Sequence, residues 1–270
     1  VHLEPWMPGV HPPAMPEGRG LRGLPFLRPD PDAIYYAYPI DGLTVLVDVD
    51  GGDVVVEDHE VVPIPDQPGE YAAARQDVMR AALKPLEITQ PKGPSFEVDG
   101  HVITWQKWRL RISVHPIEGL VLHDVRSRDG DRDRPILHRA ALSDMVVPYG
   151  DASPLHYWKH AFDAGETKLG QLGNSLKLGC DCLGVIHYFD GFITDSRGDV
   201  AKIENAICLH EEDFGILWKH VDWRTEQTEV RRSRRLVISF IATVGNYEYG
   251  FYWYFYQDGT IQYEVKLTGV

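Results

Sequence analysis

The sequence has no apolar run close to the roughly 20 residues that a membrane-spanning helix requires, so no transmembrane helix is read in it. Basic residues are also short: 27 Lys and Arg stand against 40 Asp and Glu, giving a formal charge of -13. A surface with that balance does not neutralise phosphates, which excludes nucleic acid as a partner. Steering by such a field favours a cationic substrate, although plain solubility explains the acidity as simply. Cysteine is scarce, with only Cys180, Cys182 and Cys208. Cys180 and Cys182 are too close for easy bridging, and a long-range bridge from one of them to Cys208 leaves one thiol free. Without a second Cys-x-x-Cys the three do not make a zinc site. The chain starts at Val1 with no basic-then-apolar leader, so no signal peptide is visible and this end reads as processed, cut or cloned.

Proline, by contrast, is concentrated at the start. Residues 1–33 include "EPWMPGVHPPAMPEGRG" and "RPDPD", which predict extended, irregular structure. Residues 43–49 then alternate as a strand, Asp50-Gly51-Gly52 turns, and 54–56 return. The segment "YAAARQDVMRAALKPL" has apolar spacing near 3.6 until Pro85, and it is the best helical candidate. A linker is placed at 88–96 on its Pro and Gly content. Beyond it, short β-rich runs alternate with turn residues, with one further helical signal at 143–147, and the pattern predicts a β-sandwich. The last strands carry the clearest signal: Asp258-Gly259 reads as a type I′ turn, followed by alternation from Ile261 to Leu267.

Two stretches could carry chemistry. "TVGNYEYG" sets Tyr247 directly after Gly245-Asn246 within a dense aromatic run; the plainer reading is a packed strand aromatic. "HYWKHAFDAGE" offers His156, His160 and Asp163 as a conceivable metal set if helical, but Pro154 and Gly165 argue against a helix. Asp163 lies among Ala161, Phe162 and Ala164, so burial would raise its pKa toward that of a usable base. A turn aspartate before Gly165 explains the same residues.

Five stretches, in order, carry a family resemblance: "YPIDGL" with "ITQPKGPSF"; "RDGDRDRPILHRAALSDMVVPYGD"; "FDAGE"; "NSLKLGCDCLG" with "ICLHEEDFGILWKH"; and "RRLVISFIATVGNYEYGFYWYFYQDGTI". From about Tyr36 onward the chain resembles the copper-containing primary-amine oxidases. The resemblance implies a mainly β protein with a small α+β part: the remainder of a small α+β domain (1–87), the linker (88–96) and an incomplete β-sandwich (97–270), the first half of the catalytic domain. It implies oxidation of primary amines by dioxygen to aldehyde, ammonia and hydrogen peroxide. Tyr247 would be the precursor of topaquinone, Asp163 the base, Tyr149 the phenol that hydrogen-bonds a quinone oxygen, and Asn246 the residue packed over the ring. Tyr36 and Ala161 would line the substrate channel, with Ala161 in place of an aromatic gate. Cys182 and Cys208 would form the disulfide, leaving Cys180 free, and a disulfide favours an oxidising compartment.

The same resemblance implies copper held by three histidines, two of them as His-x-His beyond the quinone tyrosine. None of the twelve histidines follows Tyr247, and no His-x-His occurs. The expectation is that this chain holds no metal, that a second polypeptide supplies the copper ligands and completes the sandwich, and that such pairs dimerise. That partner would be a nicked or processed product or a separately encoded subunit. The competing expectations are a non-catalytic binding or assembly module with an unmodified Tyr247, and a β-rich metalloprotein using His156, His160 and Asp163.

Overall fold

The computed structural model describes residues 1–9, 13–15, 18–66, 69–153 and 155–269. Pro154 and part of the proline-rich start lie outside the described residues. The chain forms two compact units, Val1–Leu83 with Val146–Phe162, and Lys84–Met145 with Asp163–Gly269. Residues 146–162, placed in the 97–270 block by sequence, thus group with the first unit.

The first unit is built on an antiparallel sheet in the order β1 (His2–Trp6), β2 (Gly20–Phe26), β3 (Leu43–Asp48), β4 (Val54–Asp58). The start of the chain is therefore not wholly irregular. Prolines are tolerated there because β1 is an edge strand, where Pro5 costs no central ladder bond, and Pro25 lies at the end of β2. The β3–β4 hairpin forms where alternation and the Asp-Gly-Gly turn place it, with Val45 opposite Val56. The helix expected over 71–86 is absent: only a 3-10 turn at Ala73–Arg75 forms, and Val78 and Leu83 remain exposed. The reason is physical, since an isolated amphipathic segment of that length is marginal unless its apolar stripe is covered. No α-helix occurs among the described residues, and none of their helices is long and apolar enough to cross a membrane.

The second unit is the expected sandwich. One five-stranded antiparallel sheet runs β5 (Phe96–Asp99), β6 (Val102–Trp105), β7 (Trp108–His115), β8 (Gly119–Asp129), β9 (Arg132–Ala140). In place of the helical signal at 143–147, β10 (Val146–Pro148) pairs with β11 (His160–Phe162) inside the first unit. The other five-stranded sheet runs β12 (His187–Thr194), β13 (Val200–Val221), β14 (Thr228–Val244), β15 (Tyr247–Tyr256), β16 (Ile261–Gly269). Trp105, Trp108, Leu110, Ile112 and Leu122 of the first sheet share one core with Leu209, Leu236, Ile238, Phe240 and Phe255 of the second. Interdigitated inner faces of this kind are how sandwiches exclude water. Across that core the buried Glu211 accepts from Trp105 Nε1 at 2.8 Å and from the Ser95 N–H at 2.8 Å.

The β15–β16 turn is not type I′. That turn needs positive φ at both central residues, whereas Asp258 keeps negative φ and only Gly259 is positive (+105°). The loop is longer, closed by Tyr256 N–H donating to Thr260 O at 3.0 Å and by Asp258 Oδ1 accepting from the Thr260 N–H at 2.8 Å.

Candidate active site

In the second unit, Asp163 follows directly on β11 and opens a turn. Its N–H donates to Met145 O at 3.0 Å, and the next residue, Ala164, is fully buried and accepts from the Lys168 N–H at 3.0 Å. These bonds hold the Asp163 backbone and leave its carboxylate pointing into the interior, 4% exposed. There Tyr249 donates its hydroxyl to Asp163 Oδ2 at 2.5 Å. Loss of water raises the Asp163 pKa above the ordinary carboxylate range; the Tyr249 hydrogen bond pulls it back, while Glu166 and Asp144 push it further up. Burial and the neighbouring carboxylate raise the Tyr249 pKa as well, so its proton stays on the phenol and the bond keeps its direction.

Tyr249 lies on β15, two residues past Tyr247, and period-two alternation puts both on one sheet face. Their rings are 6.3 Å apart with planes 23° from parallel, and Phe251 continues the row at 6.4 Å. Tyr247 is half-buried against the sandwich core. It begins β15 just after the two-residue turn Gly245-Asn246, where Gly245 has φ +60°, the positive value required of the first central residue in a II′ hairpin. On the other side Tyr247 pairs with Gly269. A Cβ at position 269 would lie 2.4 Å from Asn246 O and 3.1 Å from Tyr247 Cδ1, so only glycine fits there.

The remaining sequence candidates lie in the first unit. Tyr149 follows β10; its N–H donates to Lys159 O at 3.2 Å, its ring stacks on His156 at 6.5 Å, and Trp6 meets it edge-on at 5.8 Å. Ala161 is buried in β11 opposite Val147. Tyr36 sits in the 3-10 turn Tyr35–Ala37 and donates to Glu4 Oε1 at 2.7 Å, and burial first, then Tyr35 and Glu4, raise its pKa. Asp163, Tyr249, Tyr247 and Asn246 are thus gathered by one unit, and Tyr149, Tyr36 and Ala161 by the other.

Cys182 and Cys208 form a disulfide and Cys180 is an exposed free thiol. His156, His160 and Asp163 do not converge, and no group of three or more His, Cys, Asp or Glu able to hold a metal occurs among the described residues. The metalloprotein expectation has no support in this geometry. Tyr249 was not singled out from sequence, although its position two residues beyond Tyr247 on the same strand was the available signal. Lys159, which is buried beside Tyr149, was also missed. Nothing in its local sequence marks it except the adjacent Trp158.

The family model for "Copper amine oxidase, enzyme domain" matches residues 97–270. Over its whole length the chain is 52% identical to a peroxisomal copper-containing diamine oxidase of Nicotiana tabacum, covering 36% of that protein. It is 51% identical to a primary amine oxidase of Arthrobacter sp. (strain P1), covering 42% of it. A solved copper-containing benzylamine oxidase from Hansenula polymorpha superposes with a TM-score of 0.84 at 35% identity, over 99% of this chain and 43% of that one. The chain therefore spans about two-fifths of the length of the relatives it matches. With its sandwich and the order of its motifs, the chain belongs to the copper amine oxidase family.

Proposed function

We propose that this chain is the quinone-bearing part of an amine oxidase that converts primary amines and dioxygen to aldehyde, ammonia and hydrogen peroxide. The observation that carries this reading is the buried Asp163, raised in pKa and hydrogen-bonded by Tyr249, whose ring lies beside that of Tyr247. An α-carbon proton is too weakly acidic for a carboxylate to remove alone; topaquinone formed from Tyr247 supplies the electron sink. Asp163 then takes the proton from a fixed position, which general-base assistance makes worth about 10²–10⁴-fold. Its raised pKa keeps it basic enough to do so, and Tyr249 keeps it from becoming wholly protonated. Asn246, which follows Gly245 in the turn, would limit the motion of the ring, and Tyr149 is assigned, on the family resemblance, the role of a phenol donor to the quinone. Tyr36 and Ala161 keep their assignment as substrate-channel residues, with Ala161 standing where an aromatic gate would be.

The described residues do not fit copper. The copper ligands are proposed to lie outside the described residues, in the part of the relatives' length that this chain does not span, and the enzyme is proposed to associate as a dimer. Supporting association, the far part of the β13–β14 hairpin exposes Phe214, Ile216, Leu217, Trp218 and Val221, more apolar surface than a lone arm needs. The disulfide suits an oxidising setting.

The test is the state of Tyr247 in the whole enzyme loaded with copper and exposed to dioxygen. Quinone staining and a mass increase confined to the Tyr247 peptide are expected. An unaltered tyrosine would leave the alternative, a binding or assembly module.

A further inference from the structure

Lys159 and Tyr149 meet at the end of the β10–β11 pair. The ladder's last step sets Pro148 opposite His160, and one position on the Tyr149 N–H donates to Lys159 O at 3.2 Å. Cross-strand neighbours project to one face, and Lys159 Nζ lies 5.3 Å from the centre of the Tyr149 ring. Trp6 at 5.0 Å and Trp158 at 5.9 Å complete a cage of rings around the ammonium, with Trp6 edge-on to both other rings. Lys159 is only 6% exposed, so water screens these contacts little.

The charged groups around the cage come from several segments of the first unit. Glu4, Asp41 and Asp151 favour the ammonium from a distance and form no salt bridge with it among the described residues. Glu4 Oε1 accepts instead from the Tyr36 hydroxyl at 2.7 Å. Arg22 of β2 lies over the Trp158 ring at 4.3 Å. His156 stacks on Tyr149 at 6.5 Å, but burial and then Lys159 push its pKa down, so its imidazole is neutral at pH 7. Lys159 is therefore the cation that faces the Tyr149 ring. Loss of water lowers its pKa to about 8 against the pull of the three carboxylates, which leaves the ammonium as the major form at pH 7. A cation over the face of a phenol stabilises the phenolate relative to the phenol, so the O–H becomes a stronger donor.

We propose that Lys159 is a positioning residue for Tyr149, holding its ring by the ammonium and strengthening its phenol as a donor. The consequence for turnover rests on the donor role assigned to Tyr149 above; the contact itself does not.

Two substitutions separate charge from bulk: Lys159→Arg stays charged at every working pH, and Lys159→Met keeps an unbranched chain without charge. In the whole enzyme, kcat for a primary amine should fall about tenfold in Lys159→Met with KM nearly unchanged, and Lys159→Arg should recover most of it. Wild-type kcat should decline above about pH 8 as the lysine loses its proton, a limb that Lys159→Arg should lack. A normal kcat in Lys159→Met beside an impaired Tyr149→Phe overturns the proposal. A second measurement needs neither copper nor turnover. With fluorotyrosine incorporated and the Tyr149 signal assigned by Tyr149→Phe, the phenol should ionise at least about half a pH unit lower in Lys159→Arg than in Lys159→Met. Equal ionisation in the two variants overturns the proposal whatever the kinetics show. A normal kcat in Tyr149→Phe, with the ionisation difference present, would support the contact and defeat only the role assigned to Tyr149.

Discussion

Asp163 and Lys159 are four residues apart in sequence, both are more than nine-tenths buried, and each is pushed toward its neutral form. Their surroundings differ in kind. Asp163 has a directed partner, the Tyr249 hydroxyl at 2.5 Å, which opposes the effect of burial. Lys159 has ring faces at 5.0–5.9 Å, which attract a cation but offer it no acceptor. The comparison teaches that burial alone does not decide what an ionisable group can do. A single aimed hydrogen bond keeps a carboxylate available as a base, whereas a buried lysine with no acceptor is pushed toward its free amine by loss of water, against the attraction of the rings around it. Each side of this contrast can be broken by a substitution.

The largest effect is expected at Asp163. Asp163→Asn keeps the shape and can still accept from Tyr249, but removes the proton acceptor, so turnover of a primary amine by the assembled enzyme should fall by about 10²–10⁴-fold. Steady-state kcat measures it, and near-normal turnover would end the base assignment. The same variant should unfold at an equal or higher temperature near neutral pH. A carboxylate whose folded pKa is raised binds more protons folded than unfolded, so its ionisation above the folded pKa costs stability that asparagine does not lose.

Tyr249→Phe is the next test, and it isolates the hydrogen bond. Removing the group that lowers the Asp163 pKa lets burial act unopposed, so the pKa rises further. The base must be ionised, so the acid limb of the kcat/KM profile should move to higher pH. A hydrogen bond to a charged group is worth about 1.5–3 kcal/mol, which bounds the move at about one to two pH units. An acid limb that stays in place, with only the plateau lowered, would mean that Tyr249 merely packs.

The contrast was only half legible in the sequence. The apolar neighbours Ala161 and Ala164 announced a buried Asp163, and both are buried, although Phe162 between them faces out. Tyr249 could not be paired with Asp163 from sequence, because 86 residues separate them and strand pairing, not local propensity, brings them together. The hairpins were legible because alternation and turn residues act over a few positions: Gly245-Asn246 sets the β14–β15 register and Asp50-Gly51-Gly52 that of β3–β4. The segment 71–86 misled for the opposite reason. Its helical spacing is a statement about a face, and nothing among the described residues covers Val78 or Leu83. The Lys159 cage was invisible because Trp6 joins it from β1 and Tyr149 from the end of β10.

The smallest expected effect concerns the cage and sets ring attraction against loss of water. Lysine with a folded pKa of about 8 binds fewer protons folded than unfolded between about pH 8 and its unfolded value near 10.4. Stability should therefore rise with pH across that window, and the cost of the buried charge is fully present below it. Lys159→Met keeps an unbranched apolar side chain in the cage and removes the charge. It should stabilise the protein at pH 7 by about 1 kcal/mol, the low end for replacing a buried charge, since solvent still screens part of it. The gain should narrow by pH 10, where the wild-type lysine has shed its proton in the folded state; Tm at the two pH values measures both. A wild type more stable than Lys159→Met at pH 7 would show that the three rings hold the ammonium more strongly than water does, and the neutral amine would then be a minor species.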